Sequence, residues 1–440
     1  MFWFRTPTRE KRQPKDAPPS DFVKNTSATV LGHPVFAQPS PTSDPTKFEI
    51  KHPSDAPIYK KIDELNRRHK LAPLPFPAPR GLPEPRLSLA DVMGMGESAL
   101  RKQITANGQI VFHALGDTGS TRGPESQCLV VDKMSNDFTD VDKERPAFLF
   151  HLGDVIYSFG EARYYYDQFY EPYRDYPAPI LAIAGNHDGM VPPETSAITL
   201  AAFLENFCAK EFEVVPEAGG LSRTAQIQPG VFYTLEAPFV RILALYSNTL
   251  EDPGVIADDN IGDSQLTYLT TALERIKSEK FDGALIIAHH HPAYTAGSKH
   301  GWSSKMVSQI DAICKKTGVW PHAVLSGHAH NYQRFTRMHG KTQIPYIICG
   351  NGGHALAKLT RKGASAPRTP QPLEVARHAD KVMLENYDDE DYGYLRILVS
   401  ATQLRIEYHP ASDGTGAKTP DDFVTVDLAT RKVVAGSAAV

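Results

Sequence analysis

The 440-residue chain has the bulk composition of an ordinary globular protein. Its hydrophobic fraction is 41% and its charged fraction is 22%, which excludes a fibre and a wholly disordered chain. The formal net charge is −4. Because there is no global basic field, we expect no nucleic-acid partner. The length suffices for one large α/β domain with an appendage, or for two modest domains.

The cysteines and the N-terminal residues predict the cellular setting. The cysteines lie far apart and form no C-x-x-C pair, so we expect neither a disulfide framework nor a zinc finger. The start, MFWFRTPTREKRQPKD, turns charged and proline-rich too soon for the apolar segment of a secretory signal. No stretch approaches the roughly 20 apolar residues that cross a bilayer. We therefore expect a cytoplasmic protein with no membrane partner.

The first quarter of the chain differs from the rest in amino-acid composition and in hydrophobic pattern. Residues 1–55 are rich in Pro, Ser, Thr and Lys, which predicts an extended arm. A short helix is predicted from Ile58 to His69, and a second through LADVMGMGESALRKQI. The prolines of LAPLPFPAPRGLPEP, between them, exclude a helix or an inner strand there. We assign residues 1–108 to a Pro-rich N-terminal arm with short helices.

From Gln109 onward, short apolar runs that end in polar clusters alternate with helical stretches. The predicted strands lie in QIVFHALGD, AFLFHLGD, PILAIAGNHD, FVRILALYSN, GALIIAHHHP, HAVLSGHAH, IPYIICGNGG, YLRILVSATQLRIEYHP and FVTVDLATRKVV. The predicted helices are SQCLVVDKM, GEARYYYDQFYEPY, TSAITLAAFLENF, QLTYLTTALERIKS and SSKMVSQIDAICKK. This alternation predicts a layered α/β architecture. The acidic segment LENYDDEDYGY, 384–394, is predicted to be a solvated loop.

Polar clusters directly follow five of the apolar runs. They are Gly116-Asp117-Thr118-Gly119, Gly153-Asp154-Val155-Ile156-Tyr157, Gly185-Asn186-His187-Asp188, His289-His290-His291-Pro292 and Gly327-His328-Ala329-His330. In open α/β sheets the carboxyl ends of the strands lie together, and ligands bind there. A Gly-Asp pair alone is a common turn, but oxygen and imidazole donors in one pocket suit iron, manganese or zinc. Because unrelated turns would not need this chemistry repeatedly, we predict a metal site.

The ordered series GDTG, GDVIY, GNHD, IAHHHP and GHAH resembles the calcineurin-like metallophosphoesterase superfamily. The tyrosine of GDVIY and the form of GNHD and GHAH are similar to the purple acid phosphatases in particular. The resemblance covers about residues 109–410. It implies a four-layer α/β/β/α sandwich with two central mixed sheets, which here follows the Pro-rich arm. It also implies metal-dependent hydrolysis of phosphate esters, so we assign residues 109–440 to a catalytic domain.

The resemblance also implies the ligands of two metal ions. The first metal would be held by Asp117, Asp154, Tyr157 and His330, and the second by Asn186, His290 and His328, with Asp154 bridging both. In the family, the ligand stands two residues before the proline, which selects His290. Alternation of side chains along a strand places His289 and His291 on the opposite side from His290. His291 remains a candidate substrate contact. A phenolate at Tyr157 favours ferric iron paired with iron, manganese or zinc. Without it, two divalent ions are expected.

Further histidines are assigned around these ligands. His187 resembles the histidine that contacts the phosphate and protonates the leaving group, and Asp188 is its candidate orienting residue. His300 falls where relatives often place another substrate histidine. The remaining three are not expected to be ligands: His113 and His151 lie inside apolar strands as core or supporting residues, and His354 lies in a loop near the site.

Three functional hypotheses follow from these assignments. The first is a phosphomonoesterase for small phosphate esters, in which two cations clamp the ester oxygens and lower the pKa of a bound water. The alternative is a phosphodiesterase that acts on cyclic nucleotides or related diesters with the same residues. The third is a non-catalytic metal-binding module, which is disfavoured because every ligand position and His187 are present.

Overall fold

The computed structural model describes residues 29–30, 33–34, 57–68, 70–121, 123–191, 196–297, 299–359, 372–377 and 380–434.

The described strands, numbered along the chain, are β1 Thr29–Val30, β2 His33–Pro34, β3 Arg86–Ser88, β4 Gln109–Leu115, β5 Leu149–His151, β6 Ile180–Ala182, β7 Tyr233–Ala237, β8 Val240–Ala244, β9 Ala284–Ala288, β10 Ala323–Ser326, β11 Tyr332–His339, β12 Thr342–Cys349, β13 Leu373–Arg377, β14 Lys381–Asp388, β15 Gly393–Ser400, β16 Gln403–Pro410, β17 Asp422–Asp427 and β18 Lys432–Val433. The described α-helices are α1 Pro57–Arg67, α2 Leu89–Val92, α3 Glu97–Asn107, α4 Glu125–Asn136, α5 Asn186–Gly189, α6 Ala201–Phe207, α7 Ser264–Ser278 and α8 Ser304–Thr317. Shorter 3₁₀ turns lie at Asp137–Thr139, Asp142–Glu144, Ala162–Tyr164 and Pro216–Ala218, and a π-helix at Tyr166–Tyr170.

Two large sheets organise the fold. One sheet has nine strands in the order β13-β14-β11-β12-β10-β9-β8-β7-β3, and the other has seven in the order β18-β17-β16-β15-β4-β5-β6. The neighbours β4, β5 and β6 run parallel, as do β8, β9, β10 and β12 in the larger sheet. Both sheets also contain antiparallel pairs, such as β11–β12 and β15–β16. The expectation of two central mixed sheets is confirmed.

Helices cover the outer faces of both sheets. In α7, the Tyr268 hydroxyl lies 3.2 Å from the Oγ1 atom of Thr234 in β7. In α8, the Asp311 carboxylate accepts a hydrogen bond from Arg337 in β11. Helices α3 and α4 contact β4 and β15 of the seven-stranded sheet. The layers therefore follow the predicted order α/β/β/α. Within the described ranges, none of the helices combines the length and the apolar character that crossing a bilayer requires.

Most predicted elements of the second part of the chain are confirmed, because long apolar periodicity identifies them. In the fully buried strand β9, ALIIA, every side chain is apolar, and α7 turns its apolar stripe inward. Helix α1 begins one residue before its predicted start, whereas the predicted end at His69 lies outside the described residues. The predicted arm of residues 1–55 also lies outside them, apart from the antiparallel pair β1–β2. All four cysteines are free.

Three predicted helices differ from the structure. The helix LADVMGMGESALRKQI is interrupted between α2 and α3, where Gly94 has φ of +61°, a left-handed conformation that ends a helical turn. The segment GEARYYYDQFYEPY forms a 3₁₀ turn and a π-helix instead of an α-helix. Helix α6 begins only at Ala201, because Leu200 before it has φ of +64°. The first residue of that predicted helix lies outside the described residues.

The predicted solvated loop at 384–394 is wrong over its first half. Strand β14 continues to Asp388 and pairs with β11. The sequence pattern does not predict strand β11 either. Asp389 is buried, and its carboxylate accepts the N–H of Leu359 at 2.7 Å. The Asp388 carboxylate accepts the hydroxyl of Tyr408 at 2.8 Å. These acidic side chains are therefore hydrogen-bond acceptors within the fold.

Helix α1 and the segment after it pack against loops of the second part of the chain. Ile62 is buried in a small cluster with Phe159 and Met190. Asn66 donates from Nδ2 to the carbonyl of Asp252 at 3.3 Å. The side-chain amide of Asn248 pairs with both backbone groups of Leu74, at 2.9 and 3.0 Å.

A buried ion pair connects the two sheets. Arg334 of β11 donates from Nε and Nη2 to the two carboxylate oxygens of Asp422 in β17, at 2.7 and 2.9 Å. The Tyr332 hydroxyl donates to the same carboxylate at 2.7 Å, and its ring stacks on Tyr408 with centroids 4.0 Å apart. Tyr332 follows the GHAH cluster by two positions. The contact therefore fixes the larger sheet against the smaller one beside the predicted metal site.

We expect Asp422→Asn to lower the free energy of unfolding by about 3–5 kcal/mol, because it leaves the buried Arg334 guanidinium without a counter-charge. Urea denaturation followed by circular dichroism measures the change. The matched control is Asp282→Asn at an exposed position, which we expect to have a much smaller effect. Equal midpoints for the two variants would contradict the proposed contribution of the ion pair.

Candidate metal centre

The predicted ligands converge where the carboxyl ends of strands from both sheets meet. From the seven-stranded sheet come Asp117 after β4, Asp154 after β5 and Asn186 after β6; from the nine-stranded sheet come His290 after β9 and His328 after β10. All five side chains are buried. Parallel strands place their carboxyl ends at one edge, so the topology brings distant parts of the chain together.

One group of donors surrounds Asn186. Its Oδ1 atom lies 3.1 Å from Nε2 of His290 and 3.1 Å from Nδ1 of His328. The His290 Nε2 atom is also 3.2 Å from Oδ2 of Asp154. On the other side of its ring, His290 Nδ1 lies 2.8 Å from the carbonyl of Leu152. This second contact fixes the ring so that Nε2 faces the cluster.

A second group surrounds Asp117. The Tyr157 hydroxyl donates to Asp117 Oδ1 at 3.1 Å and lies 3.2 Å from Nε2 of His330. The same His330 nitrogen is 3.4 Å from Asp117 Oδ1. His290 Nε2 lies 4.0 Å from that oxygen, so the two groups share one pocket. All seven predicted ligands are therefore brought together.

Several buried polar atoms of this pocket have no hydrogen-bond partner in the described part of the chain. They are Asn186 Nδ2, His328 Nε2, His330 Nδ1 and Asp154 Oδ2, whose 3.2 Å approach to His290 Nε2 is a charge contact without hydrogen-bond geometry. Leaving a buried polar group unsatisfied costs about 1–3 kcal/mol. Asp154, His290 and His328 also offer ligand atoms that all lie within 4.8 Å of one another. Oxygen and imidazole donors that are buried but unsatisfied fit a metal centre for iron, manganese or zinc.

The backbone at the ligands adopts conformations that L-residues rarely take. Asp117, Asp154 and His328 have φ of +57°, +54° and +69°, and each such residue costs roughly 1–3 kcal/mol. The strain is held by close packing: the N–H of His328 donates to Asp117 Oδ2 at 2.7 Å. At Gly185 no side chain fits, because a Cβ atom there would overlap with the carboxylate of Asp154. The glycine thus lets the loops after β5 and β6 approach each other.

Burial and mutual charge shift the pKa values of the ligands in opposite directions. Burial lowers the pKa of His290, but the carboxylates of Asp154 and Asp117 outweigh it and raise the pKa to about 10. Burial raises the pKa of Asp154, but the neighbouring His290 outweighs it and holds the pKa well below its usual value. Burial lowers the pKa of His328 to about 4. His328 therefore presents the neutral imidazole that metals bind, whereas a metal at His290 must displace a proton.

His187 lies at the edge of the pocket in a fixed orientation. Its backbone N–H donates to Asp154 Oδ1 at 2.9 Å, and its Nδ1 atom lies 2.9 Å from the carbonyl of Ser158. The predicted role of Asp188 as the residue that orients His187 differs from the structure. The Asp188 carboxylate accepts the N–H groups of Gly185, Val155 and Ile156 at 2.8, 3.0 and 3.0 Å. Asp188 thus holds the two loops together, and the Ser158 carbonyl holds the His187 ring.

The other predicted histidines occupy distinct positions. His300 lies against the ligands, with its ring centroid 4.7 Å from that of His328 and 5.0 Å from that of His330. His354 stacks on the Tyr157 ring at 3.5 Å. Both ring nitrogens of His291 contact protein groups, Ser247 Oγ at 2.8 Å and the Leu250 carbonyl at 2.5 Å. His291 therefore supports the loop after β8 and has no nitrogen left for a substrate.

The remaining histidines of interest support the fold. His113 is buried between the Tyr176 hydroxyl and the Asp137 carboxylate, each 3.0 Å away. His151 lies 2.9 Å from the Thr118 hydroxyl. His289 Nδ1 lies 2.6 Å from the His291 carbonyl. These contacts agree with the prediction of core or supporting roles for His113 and His151.

Two acidic residues at the pocket were not predicted. Glu251 Oε1 lies 3.6 Å from His187 Nε2, and Asp252 Oδ1 lies 3.5 Å from His328 Nε2. Asp252, His300 and His328 form a second group whose ligand atoms lie within 4.8 Å of one another. Both acidic residues follow β8, whose parallel neighbour β9 leads to His290. The expectation that ligand-binding residues follow the carboxyl ends of parallel strands therefore also applies to the segment SNTLED, which follows β8.

A family model described as calcineurin-like phosphoesterase matches residues 111–332, half of the chain. The chain belongs to the calcineurin-like phosphoesterase family. The match begins in β4 and ends at Tyr332, so it contains every predicted ligand. The resemblance inferred from the sequence motifs is thus confirmed at the level of the family.

Two curated proteins that are similar to this chain are purple acid phosphatases. The chain is 23% identical over 339 residues to probable inactive purple acid phosphatase 9 of Arabidopsis thaliana, covering 72% of this chain and 48% of that protein. It is 25% identical over 181 residues to purple acid phosphatase 21 of the same plant, covering 40% and 36%. The chain therefore spans less than half the length of these curated relatives.

A solved structure agrees with the fold. The purple acid phosphatase isolated from yellow lupin (Lupinus luteus) seeds superimposes with a TM-score of 0.50 at 18% identity, covering 72% of this chain and 54% of that one. At this identity the likeness concerns the fold alone. It supports the two-sheet arrangement of the calcineurin-like phosphoesterase family in this chain.

We expect Gly185→Ala to reduce the metal content of the purified protein, because the added Cβ atom must displace the Asp154 carboxylate. Elemental analysis after growth with iron, manganese and zinc measures the change. Gly96→Ala is the matched control, since a Cβ atom at Gly96 meets nothing within 4 Å. Equal metal content in the two variants would show that the close approach of these loops is not needed for binding.

Proposed function

We propose that this protein is a dinuclear metal-dependent phosphoesterase that hydrolyses small phosphate monoesters. The observation that carries the proposal is the pocket of buried, unsatisfied oxygen and nitrogen donors with His187 fixed at its edge. Membership of the calcineurin-like phosphoesterase family supports metal-dependent hydrolysis of phosphoesters as the class of reaction. The similarity to purple acid phosphatase 21 supports the choice of a phosphatase, whereas the similarity to probable inactive purple acid phosphatase 9 favours the non-catalytic hypothesis.

The metals proposed are iron together with iron, manganese or zinc. One would be held by Asp117, Tyr157 and His330, the other by Asn186, His290 and His328, with Asp154 shared between them. When bound, such cations neutralise charge on the phosphoryl oxygens and make water acidic enough to supply hydroxide. The ligand set contains no thiolate, which agrees with hard and borderline metals.

The chain's own side chains perform the remaining chemistry. Asn186 Nδ2 is buried and has no hydrogen-bond partner within the described residues, so it is available to donate to a phosphoryl oxygen when Oδ1 binds metal. His187 Nδ1 lies 2.9 Å from the Ser158 carbonyl, and Nε2, which lies 3.6 Å from Glu251 Oε1, is the atom proposed to protonate the departing alkoxide. Histidine is the side chain that most often serves as a general acid or base.

Hydrolysis of phosphodiesters on the same residues is the alternative. The ratio of kcat/KM values for a monoester and a diester of the same alcohol, p-nitrophenol, distinguishes the two. A higher value for p-nitrophenyl phosphate supports the proposal, and a higher value for bis(p-nitrophenyl) phosphate contradicts it. Activity towards neither ester in the metal-loaded protein supports the non-catalytic hypothesis.

We expect His187→Ala to retain its metals but to lose turnover by about 10²–10⁴-fold with alkyl phosphates, since general acid catalysis contributes a factor of that size. The loss should be smaller with p-nitrophenyl phosphate, whose leaving group needs little protonation. Steady-state kinetics and elemental analysis of the same preparations measure both effects. Asp154→Asn is the contrasting variant and should lose metal and activity together. Normal hydrolysis of alkyl phosphates by His187→Ala would exclude the proton-donor role.

We expect the iron-loaded protein to absorb visible light through a bond between Tyr157 and ferric iron. Tyr157→Phe should abolish this band, because phenylalanine offers no oxygen to the metal. Absorption spectra of the two proteins, with iron quantified, measure the effect. The matched control is Tyr165→Phe, which removes the hydroxyl of another fully buried tyrosine that is not a predicted ligand. A band that persists in Tyr157→Phe would remove Tyr157 from the ligand set.

A further inference from the structure

We propose that His354 is a positioning residue for Tyr157, because its imidazole fixes the phenol ring whose oxygen faces Asp117 and His330. The inference rests on the proposed function, in which Tyr157 binds ferric iron. His354 follows β12 in the segment GNGGH. It belongs neither to the predicted metal ligands nor to the predicted substrate contacts, so the proposal gives this histidine a role of its own.

The rings of His354 and Tyr157 lie face to face. Their centroids are 3.5 Å apart and their planes differ by 5°. The other ring contacts of Tyr157 among the described residues are wider and more inclined: His187 lies at 4.3 Å and 36°, and His330 at 6.2 Å and 79°. A parallel ring at van der Waals distance blocks rotation of the phenol about its Cβ–Cγ bond. His354 therefore determines the plane of the Tyr157 ring.

The plane of the phenol ring matters because of where its oxygen lies. The Tyr157 hydroxyl donates to Asp117 Oδ1 at 3.1 Å and is 3.2 Å from His330 Nε2. This oxygen lies on the axis of ring rotation, so turning the ring leaves the oxygen in place but turns its π electrons. The overlap of those electrons with a bound metal depends on the ring plane. Residues that orient a ligand in this way tune the metal without binding it.

His354 is itself held by the GDTG cluster that follows β4. Its Nδ1 atom lies 2.7 Å from the Gly119 carbonyl, and because a carbonyl oxygen only accepts, Nδ1 carries the hydrogen. The His354 backbone N–H donates to the Asp117 carbonyl at 2.9 Å, and the Gly352 N–H donates to the Gly116 carbonyl at 3.1 Å. The imidazole is thus fixed relative to the loop that carries Asp117, which the phenol oxygen contacts.

The backbone of Tyr157 is fixed by another residue. Gln168 Oε1 accepts the Tyr157 N–H at 2.9 Å, and Gln168 Nε2 donates to the Tyr157 carbonyl at 3.0 Å. These two hydrogen bonds do not involve His354. Removing the His354 ring should therefore free the Tyr157 side chain while its backbone stays in place, which makes the positioning role separable from the stability of the loop.

Two variants of the full chain separate the ring of His354 from its hydrogen bond. His354→Asn keeps an N–H for the Gly119 carbonyl but has no ring, whereas His354→Phe keeps a ring but has no N–H. In the iron-loaded protein we expect His354→Asn to shift the visible band of Tyr157 and to reduce its intensity per bound iron. Iron binding, measured by competition with nitrilotriacetate, should weaken about two- to tenfold, since a freed side chain must be immobilised on binding. His354→Phe should retain the band and the affinity of the wild type.

The matched control is His339→Asn. His339 also stacks on an aromatic ring, that of Trp320 with centroids 3.8 Å apart, but at the end of β11 that is distant from the GHAH cluster. This variant should leave the band and the iron affinity unchanged. Equal losses in His354→Asn and His354→Phe would overturn the proposal, because an imidazole nitrogen and not the stacked ring would then be what matters. A band that is unchanged in His354→Asn would overturn it as well.

Nuclear magnetic resonance of the metal-free chain with labelled tyrosine separates this inference from the proposed function. A stacked imidazole shifts the ring signals of Tyr157 upfield, and Tyr157→Phe identifies those signals by their loss. If His354→Asn removes the upfield shift but the iron-loaded wild type has no visible band, the positioning role is supported and the ferric site of the proposed function fails. If the wild type has the band but the Tyr157 signals are the same in His354→Asn, the ferric site is supported and the positioning role fails.

Discussion

The concentration of buried charge where the two sheets meet is the constraint on which the rest of the structure depends. Asp117, Asp154 and His290 are fully or almost fully buried, and ionised groups in such a setting are stable only when they are paired or bind metal. The strained backbone at both aspartates maintains this arrangement, as does Gly185, which lets the loop after β6 approach the loop of Asp154. The ion pair of Arg334 and Asp422 holds the two sheets in the relative position that the pocket requires.

The roles of the histidines are set by the contacts of their second ring nitrogen. His290 places Nδ1 on the Leu152 carbonyl, and its Nε2 atom faces Asn186 and Asp154. His291 uses both nitrogens within the protein. The adjacent imidazoles of His290 and His291 thus differ in role, because of these two only His290 directs a nitrogen at the other predicted ligands.

The sequence predicts those features of the fold and site that depend on one strand and the residues just after it. The apolar runs identify β4–β6, β9 and β10, and the polar residues after them form the pocket. Contacts between distant segments were not accessible: β14 resembles an acidic loop because its stability comes from pairing with β11. The role of Asp188 depends on N–H groups of another loop. Glu251 and Asp252 follow β8 at a greater distance than the other polar clusters follow their strands, so the pattern of a polar cluster directly after an apolar run does not include them.

The packing of α1 against the pocket loops is relevant to how substrate preference changes within the family. The family match begins at residue 111, yet α1 packs through Ile62 on the loops after β5 and β6 and through Asn66 on the loop after β8. The segment that packs on the loops around the pocket is therefore separate in the chain from the segment that contains the predicted metal ligands. Evolution can exchange or remodel the former without disturbing the latter. Family members with the same predicted metal ligands could thus acquire different substrates through changes in a region that the family match does not cover.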